Sequence, residues 1–413
     1  MEATPSFAKK LKTDPRVPGT PPHLVSLALL FVPGVYVVQV LAALLTLAVA
    51  GLFIGGVGWA CAKFFHRVPA GILLMVGLGA VFGVFAVLKG IVMSFWRRPS
   101  FETGLLLEMG REPELRAFLG QLCRLMGTQP PTSVILHADS QFFVQQGRVR
   151  VFNGTARGRV LAISVPLLSE LTVGELRAVL AHEFAHFTGQ DTLYSSVVLP
   201  VYLSAGTTLQ EMAGVLSGGG GAGDDQSGWM ALPLMLPFFC LNKYVELFHR
   251  LNMRLSRLRE HRADSIAAIC CGTENFSRAL TKTAGVGPLF SGTAWNHIGQ
   301  ALQEQKAFRN YYSAFREMRP EFHEAVTELE KQALAETEEE DASHPCLSAR
   351  LARVPQVAGT PDDRPAHTLL AHLDEYEQQL TEALTQIVAM SQPAATLARS
   401  PESVTNALNE VMK

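Results

Sequence analysis

The eight residues Val179-Leu180-Ala181-His182-Glu183-Phe184-Ala185-His186 place two histidines four positions apart, with a glutamate beside the first. Residues four apart lie one above the other on a single face of a helix. His182 and His186 could therefore bind one metal ion, with Glu183 next to it. The alternative is a surface helix that carries three polar residues by chance, and the rest of the sequence helps to decide between the two.

The flanking sequence predicts the helix that this motif requires. Thr172 can act as its N-cap, and Glu175 three residues later completes a capping box. An apolar face continues through Leu176 and Leu180, and Gly189 marks the C-terminal end. Two histidines and an adjacent glutamate on such a helix are typical of zinc peptidases, in which the glutamate is the general base.

The composition indicates contact with lipid. The 413 residues are 48% hydrophobic and only 17% charged, whereas soluble domains contain about 25% charged residues. The net charge of −2 gives no indication of nucleic-acid binding. Six scattered cysteines form neither a CxxC pair nor a disulfide framework, which favours a reducing compartment. The length allows one catalytic domain together with membrane segments.

A transmembrane hairpin of two spans is predicted at residues 23–96, after a basic tail at residues 1–22. No charged residue occurs between His23 and Ala62, although a span needs only about 20 residues. Pro33 is expected to divide this run and leave Val35–Ala62 as the first span. The second apolar run begins at Pro69 and reaches Phe95. This length, and the second span, argue against a cleaved signal peptide.

Glycine spacing and basic residues suggest how the hairpin packs and is oriented. The GxxxG spacings Gly51/Gly55 and Gly79/Gly83 would let its two helices approach closely, although glycine is also simply common in membrane helices. Lysines and arginines are frequent in the N-terminal tail and recur at Arg97-Arg98. Because basic flanks remain in the cytoplasm, both ends of the hairpin and the peptidase domain are predicted to face the cytoplasm, from a membrane of the bacterial inner type.

Residues 97–191 are predicted to form the first half of a peptidase domain. The sequence indicates one amphipathic helix at Glu112–Met126 and a small sheet. The candidate strands are Val134–His137, Phe142–Val144, Val149–Phe152 and Val160–Val165. An exposed edge strand could bind a peptide by strand addition, but a purely structural sheet explains the pattern equally well.

A catalytic zinc site needs a third protein ligand besides the two histidines. A metzincin-type histidine would stand at position 192, which is Thr192. Glu211 is conceivable, but it has no acidic partner one turn later. Glu260 is the better candidate, because Asp264 shares its helix face and could accept the outer N–H of a zinc-binding histidine. His261 competes, but it would point about 100° away from Glu260.

Residues 192–250 are predicted to form a second apolar hairpin, which either spans the membrane or inserts partway. Its two apolar runs are weaker than those of the first hairpin, and they flank a glycine-rich loop without basic residues. Lys243 and Arg250 follow, so the loop is expected on the non-cytoplasmic side. The chain would then return just before Glu260, placing the metal site close to the membrane surface.

The order of these motifs resembles the integral-membrane zinc metallopeptidases that include HtpX and the CAAX prenyl protease. The resemblance rests on HExxH, an apolar hairpin, Glu260-His261-Arg262-Ala263-Asp264, and a late His-Pro…Arg segment. That segment is Ser343-His344-Pro345-Cys346-Leu347-Ser348-Ala349-Arg350-Leu351. Asn153-Gly154-Thr155 is only a partial match to a family segment before HExxH. The resemblance covers roughly residues 101–354 and the N-terminal spans.

The resemblance implies a role for each matching residue. The family's zinc ligands correspond to His182, His186 and Glu260, which would bind one zinc ion per chain. Glu183 would be the general base, and Asp264 would support a zinc ligand. His344 and Arg350 would help to hold the polarised carbonyl or the substrate, since a tetrahedral intermediate needs donors beyond the metal.

The predicted fold is mainly α, of the α+β class. It combines the N-terminal transmembrane hairpin, a helical zinc-metallopeptidase domain with a small β-sheet, and the second apolar hairpin. Residues 251–358 would complete the peptidase domain. Residues 359–413 would form a C-terminal helical extension, with one helix at Pro365–Met390 and a short last helix after Pro393.

The predicted function is a membrane-anchored zinc endopeptidase, with membrane protein quality control as one role. Its partners would be a protein or peptide substrate and membrane lipid, and not nucleic acid. One alternative is a CAAX-type processing protease of lipidated substrates, which would need a larger membrane chamber than four spans can form. Another is a non-catalytic membrane scaffold with a metal site, which would be expected to show four protein ligands and no adjacent base.

Overall fold

The computed structural model describes Leu11 and residues 14–19, 21–95, 99–187, 191–217, 228–338 and 344–391. Within these ranges the chain is mainly helical with one small sheet, which confirms the predicted fold class. The predicted short helix after Pro393, most of the basic tail and most of the glycine-rich loop lie outside the described residues.

The N-terminal apolar run forms two long helices, α1 (Pro22–Phe65) and α2 (Ala70–Phe95). Pro33 lies inside α1 and does not divide it, so that expectation was wrong. Close to Pro33, the hydroxyl of Tyr244, in the later helix Gly228–Cys271, donates to the carbonyl of Phe31 at 3.0 Å and links the two helices.

Two further helices, α6 (Asp191–Leu216) and α7 (Gly228–Cys271), pack with α1 and α2 into a four-helix bundle. Among the described residues, three helices are long and apolar enough to cross a membrane: Pro22–Phe65, Ala70–Met93 and Trp229–Cys271. Polar contacts fasten the less apolar α6 to its neighbours. The Gln39 side chain donates to Thr208 Oγ1 at 2.9 Å, and the Lys89 ammonium pairs with Glu211 at 2.6 Å.

The closest neighbours of Gly79 and Gly83 in α2 belong to α7. A Cβ at Gly79 would collide with the backbone of Met230, and Gly83 lies equally close to a side chain of α7. Within the described part of the chain, nothing lies within 4 Å of a Cβ built at Gly51 or Gly55. The predicted approach of the two N-terminal helices is seen at Gly83, where a Cβ would lie 3.1 Å from the Thr46 side chain of α1, whereas the nearest atoms to Gly79 belong to α7.

Five strands form one mixed sheet in the order β1-β4-β5-β3-β2. They are β1 (Ser100–Phe101), β2 (Gly104–Leu106), β3 (Ser133–His137), β4 (Phe143–Val151) and β5 (Gly154–Ser164). The predicted strand pair at 142–144 and 149–152 is one strand, and β5 starts earlier than predicted. Gly147 of β4 stands opposite Gly158 of β5, with φ of +146° and +80°. Glycine tolerates these angles, so the β4–β5 pairing continues through the point where the apolar pattern of the sequence is interrupted.

The remaining helices surround the sheet and enclose the main hydrophobic core. They are α3 (Pro113–Met126), α4 (Val165–Leu168), α5 (Val173–Ala185), α8 (Thr273–Gln303), α9 (Tyr311–Met318), α10 (His323–Ala335), α11 (Leu347–Arg353) and α12 (Leu373–Ser391), with short 3₁₀ turns at Arg319–Phe322 and Ala366–Leu369. The helix predicted over residues 365–390 is thus interrupted. The amide of Ala371 donates to the buried Glu112 carboxylate at 2.5 Å, so it does not continue a helix.

The helix α7 runs without a break from the four-helix bundle to the part of the chain that contains the sheet. It has 44 residues, which corresponds to roughly 66 Å at 1.5 Å per residue. Its N-terminal part packs against α1 and α2, and its C-terminal part packs against α5. A side chain near its C-terminal end is therefore held at a fixed distance from the bundle.

Candidate metal centre

The helix α5 carries the HExxH motif and begins as predicted. The Thr172 hydroxyl accepts from the Glu175 amide at 3.2 Å, and the Glu175 carboxylate accepts from the Thr172 amide at 2.9 Å. This capping box is confirmed. Glu175 is fully buried and also pairs with Lys282 at 2.7 Å. The helix ends at Ala185, but His186 retains helical backbone angles of −61° and −24°, so it stays one turn above His182.

The structure brings His182, His186 and Glu260 together. The Nε2 atom of His182 lies 3.4 Å from Glu260 Oε2, and the Nε2 atom of His186 lies 3.5 Å from Glu260 Oε1. One ligand atom from each residue lies within 4.8 Å of the others. His182 and Glu260 are buried and His186 is partly buried. These three side chains come from α5 and from the C-terminal part of α7.

The spacing of these donor atoms fits zinc. Zinc binds histidine nitrogen and carboxylate oxygen at about 2.0–2.2 Å in tetrahedral sites, so two ligand atoms lie about 3.3–3.6 Å apart. The observed separations of 3.4 and 3.5 Å agree with this value. Three protein ligands would also leave a fourth position for water or substrate, as in catalytic sites.

Asp264 contacts the outer nitrogen of one candidate ligand. Its Oδ1 atom lies 2.9 Å from Nδ1 of His182. A proton on Nδ1 would leave Nε2 free to bind metal, so this contact selects the required tautomer. Arg350 donates to both Asp264 oxygens, at 3.0 and 2.6 Å. His182, Asp264 and Arg350 therefore form one chain of charged contacts leading away from the metal position.

The electrostatics of the site favour a positive charge between the carboxylates. Burial by itself would lower the pKa of His182, but hydrogen bonds to Asp264 and Glu260 outweigh it and raise this pKa to about 10. A metal cation would satisfy the same two carboxylates without that proton. Burial raises the pKa of Glu183 above its ordinary value, against the opposing effect of the two histidines. A general base works best when its pKa approaches the operating pH.

His344 lies at the open rim of the site. Its Nδ1 atom is 3.2 Å from Glu260 Oε2, and its side chain is 65% exposed. It does not belong to the group of mutually close ligand atoms found among the described residues. Arg350 also reaches to 3.8 Å from Glu260 Oε2, but it is largely buried. The two residues of the late His-Pro…Arg segment therefore both lie near Glu260 Oε2, one exposed and the other largely buried.

The competing ligand candidates point elsewhere. His261 Nε2 lies 2.9 Å from the guanidinium of Arg353, on another side of α7. Glu211 pairs with Lys89 in the membrane bundle. Thr192 belongs to a part of α6 whose side chains are not described. Asn153, in the partial family match, holds the Leu106 backbone with hydrogen bonds of 2.7 and 3.1 Å, which joins β2 to the β4–β5 turn.

One structural element of the site has no signal in the sequence. The segment after α11 crosses the N-terminus of α5, where the amide of Val173 donates to the Arg364 carbonyl at 2.7 Å and the amide of Gly174 donates to the Asp362 carbonyl at 2.9 Å. The same segment touches the end of α7, because Gly359 packs against the backbone at Gly272. It thus contacts both helices that carry the candidate ligands.

Comparisons with known proteins agree with this geometry. The family model described as "Peptidase family M48" matches residues 138–358. A "Protease HtpX homolog" of Thermoplasma volcanium is 27% identical over 228 residues, covering 52% of this chain and 68% of that protein. "Protease HtpX" of Erwinia tasmaniensis is 25% identical over 222 residues, covering 51% and 72%.

Among solved structures, the "Crystal Structure of S. mikatae Ste24p" is similar with a TM-score of 0.31 and 15% identity, covering 76% of this chain and 66% of that chain. The matched region of the family exceeds half of the chain and contains HExxH, Glu260, Asp264 and the His-Pro…Arg segment. The chain belongs to peptidase family M48, and it is a membrane metallopeptidase of that family.

Proposed function

We infer that this M48 chain is a membrane-anchored zinc endopeptidase that hydrolyses peptide bonds with a zinc-activated water and Glu183 as general base. The observation that carries the proposal is the convergence of His182, His186 and Glu260 at separations suited to zinc. We assign these three residues as the ligands of one zinc ion per chain.

The proposed reaction divides the chemistry between the metal and the chain. Zinc at this position would polarise the scissile carbonyl and lower the pKa of water towards about 7. Glu183 takes the proton of the attacking water and later delivers it to the leaving amine. The burial that raises the pKa of Glu183 supports this double role, because a more basic carboxylate accepts the proton more readily.

Residues around the ligands have supporting roles in this proposal. Asp264 fixes the tautomer of His182, and Arg350 keeps Asp264 ionised and oriented through its two hydrogen bonds. His344, exposed at the rim, donates to the carbonyl oxygen as negative charge develops there. Arg350 therefore acts on the reaction through Asp264, whereas His344 contacts the substrate.

The proposed substrates are protein segments at the cytoplasmic membrane surface, consistent with membrane protein quality control. Tyr244 contacts α1 in the bundle and lies 16 residues before Glu260 on the same helix, which corresponds to roughly 24 Å. The basic flanks of the first hairpin support a cytoplasmic orientation. In the described residues, the centre of the bundle is filled by buried side chains such as Leu241 and Phe248, which does not favour a chamber for lipidated substrates.

Zinc content and casein cleavage by the detergent-purified full chain test this function. The wild type is expected to contain about one zinc per chain and to cleave casein, whereas Glu183→Gln retains zinc and loses cleavage. Glu274→Gln, a change on an exposed glutamate of α8, serves as the matched control and should cleave normally. Cleavage by Glu183→Gln at the wild-type rate would refute the assignment of the base, and absence of zinc would refute the metal site.

A further inference from the structure

The tip of the β4–β5 hairpin carries three exposed arginines on one face of the sheet. Arg148 stands directly opposite Arg157 in the antiparallel register, and Arg150 is two residues further along β4 on the same side. We call these three residues the arginine face. Like charges placed directly opposite each other destabilise a strand pair. The arrangement therefore costs stability unless an anion lies against it.

The described part of the chain does not supply that anion. None of the three arginines has a carboxylate within ion-pair distance among the described residues. The neighbouring Glu102 follows β1, but its carboxylate lies 3.7 Å from His137 Nε2. As far as the described residues go, the three guanidinium groups are thus available to a negatively charged partner.

Two contacts tie this hairpin to places where the chain enters the membrane bundle. Phe101 of β1 pairs with Arg150 and lies six residues after the end of α2. Arg159 of β5 lies over the ring of Phe187 at 4.1 Å, and Phe187 precedes the start of α6 by four residues. Segments this short reach at most about 20 Å. The arginine face therefore lies near the membrane ends of two bundle helices.

An exposed aromatic ring borders the arginine face. Phe101 is 55% exposed and lies on the same side of the sheet as its pairing partner Arg150. It packs edge-to-face on Phe152, with ring centroids 5.7 Å apart. Basic residues beside an aromatic ring suit the interface of an anionic membrane, where headgroups meet the arginines and the ring meets the acyl boundary.

We propose that Arg148, Arg150 and Arg157 bind anionic phospholipid headgroups of the membrane in which the chain is anchored. Bidentate guanidinium groups match phosphate geometry. A headgroup phosphate between Arg148 and Arg157 would also convert their mutual repulsion into a shared attraction. The surface would hold the peptidase domain against the lipid, and this binding does not depend on peptidase activity.

Native mass spectrometry of the detergent-purified full chain tests the proposal, by titration with dioleoylphosphatidylglycerol or dioleoylphosphatidylcholine. One basic group near an anionic surface contributes a factor of about five to affinity. Replacing all three arginines by glutamine should therefore reduce the preference for phosphatidylglycerol by up to about 100-fold. The control replaces the exposed residues Arg116, Arg309 and Lys331 by glutamine, which removes the same charge elsewhere, and should leave the preference unchanged.

A single substitution gives a second, independent readout. Arg148→Gln removes the facing like charge, so its thermal stability should equal or exceed that of the wild type, while its preference for phosphatidylglycerol falls about five-fold. Lysine at all three positions should retain most of the preference, because the charge is kept.

Three outcomes would overturn the proposal. One is an unchanged lipid preference in Arg148→Gln and in the triple glutamine variant. Another is an equal loss in the control variant, which would indicate a general charge effect. The third is that the triple glutamine variant keeps its lipid preference but loses cleavage of acidic peptides in lipid-free detergent. That result would assign the arginine face to the substrate.

Discussion

Asp264→Asn tests whether the chain of contacts from His182 through Asp264 to Arg350 sets the affinity of the site for metal. The substitution preserves the shape of the side chain but removes its charge. It weakens the 2.9 Å contact with His182 Nδ1 and leaves Arg350 with a single acceptor where it now has two, at 3.0 and 2.6 Å. Arg350 is then a buried cation without a full counter-charge.

The expected magnitude follows from these contacts. Loss of an outer partner of a metal-binding histidine typically weakens metal affinity about 10- to 100-fold, which corresponds to about 1.4–2.7 kcal/mol. Removing one partner of a buried ion pair costs about 3–5 kcal/mol, so the thermal stability of the metal-free chain should fall as well. Because asparagine still accepts one hydrogen bond, the smaller end of this range is expected.

Competition for zinc with a chromophoric chelator measures the affinity directly, and thermal unfolding of the metal-free protein measures the second effect. The matched control is Asp374→Asn, since Asp374 lies in the first turn of α12 and its carboxylate accepts only from exposed or partly buried side chains. Zinc affinity equal to that of the wild type, with the folded state intact, would refute the assignment of Asp264 as the residue that orients His182.

Two further predictions concern the ligand set and the segment after α11. Glu260→Ala should weaken zinc binding by more than the 10- to 100-fold loss of an outer partner. His261→Ala should leave zinc binding unchanged, because the His261 ring contacts Arg353 and not the metal position. Competition with a chelator distinguishes the two variants, and the reverse result would move the third ligand. Gly359→Ala should destabilise the protein by about 1–3 kcal/mol and weaken zinc binding, because the added Cβ meets the backbone at the end of α7. Gly292→Ala is the control, since a Cβ at Gly292 meets open space. Equal thermal unfolding curves for the two variants would contradict the close approach of Gly359 to α7.

Much of the candidate site could be predicted from the sequence because its determinants are local. The capping box joins residues three apart, and each pair of site residues on a helix, His182 with His186 and Glu260 with Asp264, is four apart. Helix geometry alone then places the members of each pair on one face. The spacing also distinguished Glu260 from its neighbour His261, which the structure turns towards Arg353.

Residues far apart in sequence account for what could not be predicted. Asp264 and Arg350 are 86 positions apart, and no local pattern indicates that the arginine contacts the aspartate rather than a substrate. The partner of Gly79 is α7 and not the adjacent α1, because helix packing in the bundle depends on which faces meet.

The sequence by itself determined the elements that depend on neighbouring residues: the apolar helices, the HExxH helix with its cap, and the ligand types suited to zinc. Only the tertiary structure decided how these elements meet. It joined α7 into one helix from the bundle to Glu260, crossed the start of α5 with the segment at Asp362–Arg364, and set Arg148 opposite Arg157. Short-range periodicity follows directly from the order of the residues. Long-range contacts form only when segments distant in sequence compete to bury the same surfaces.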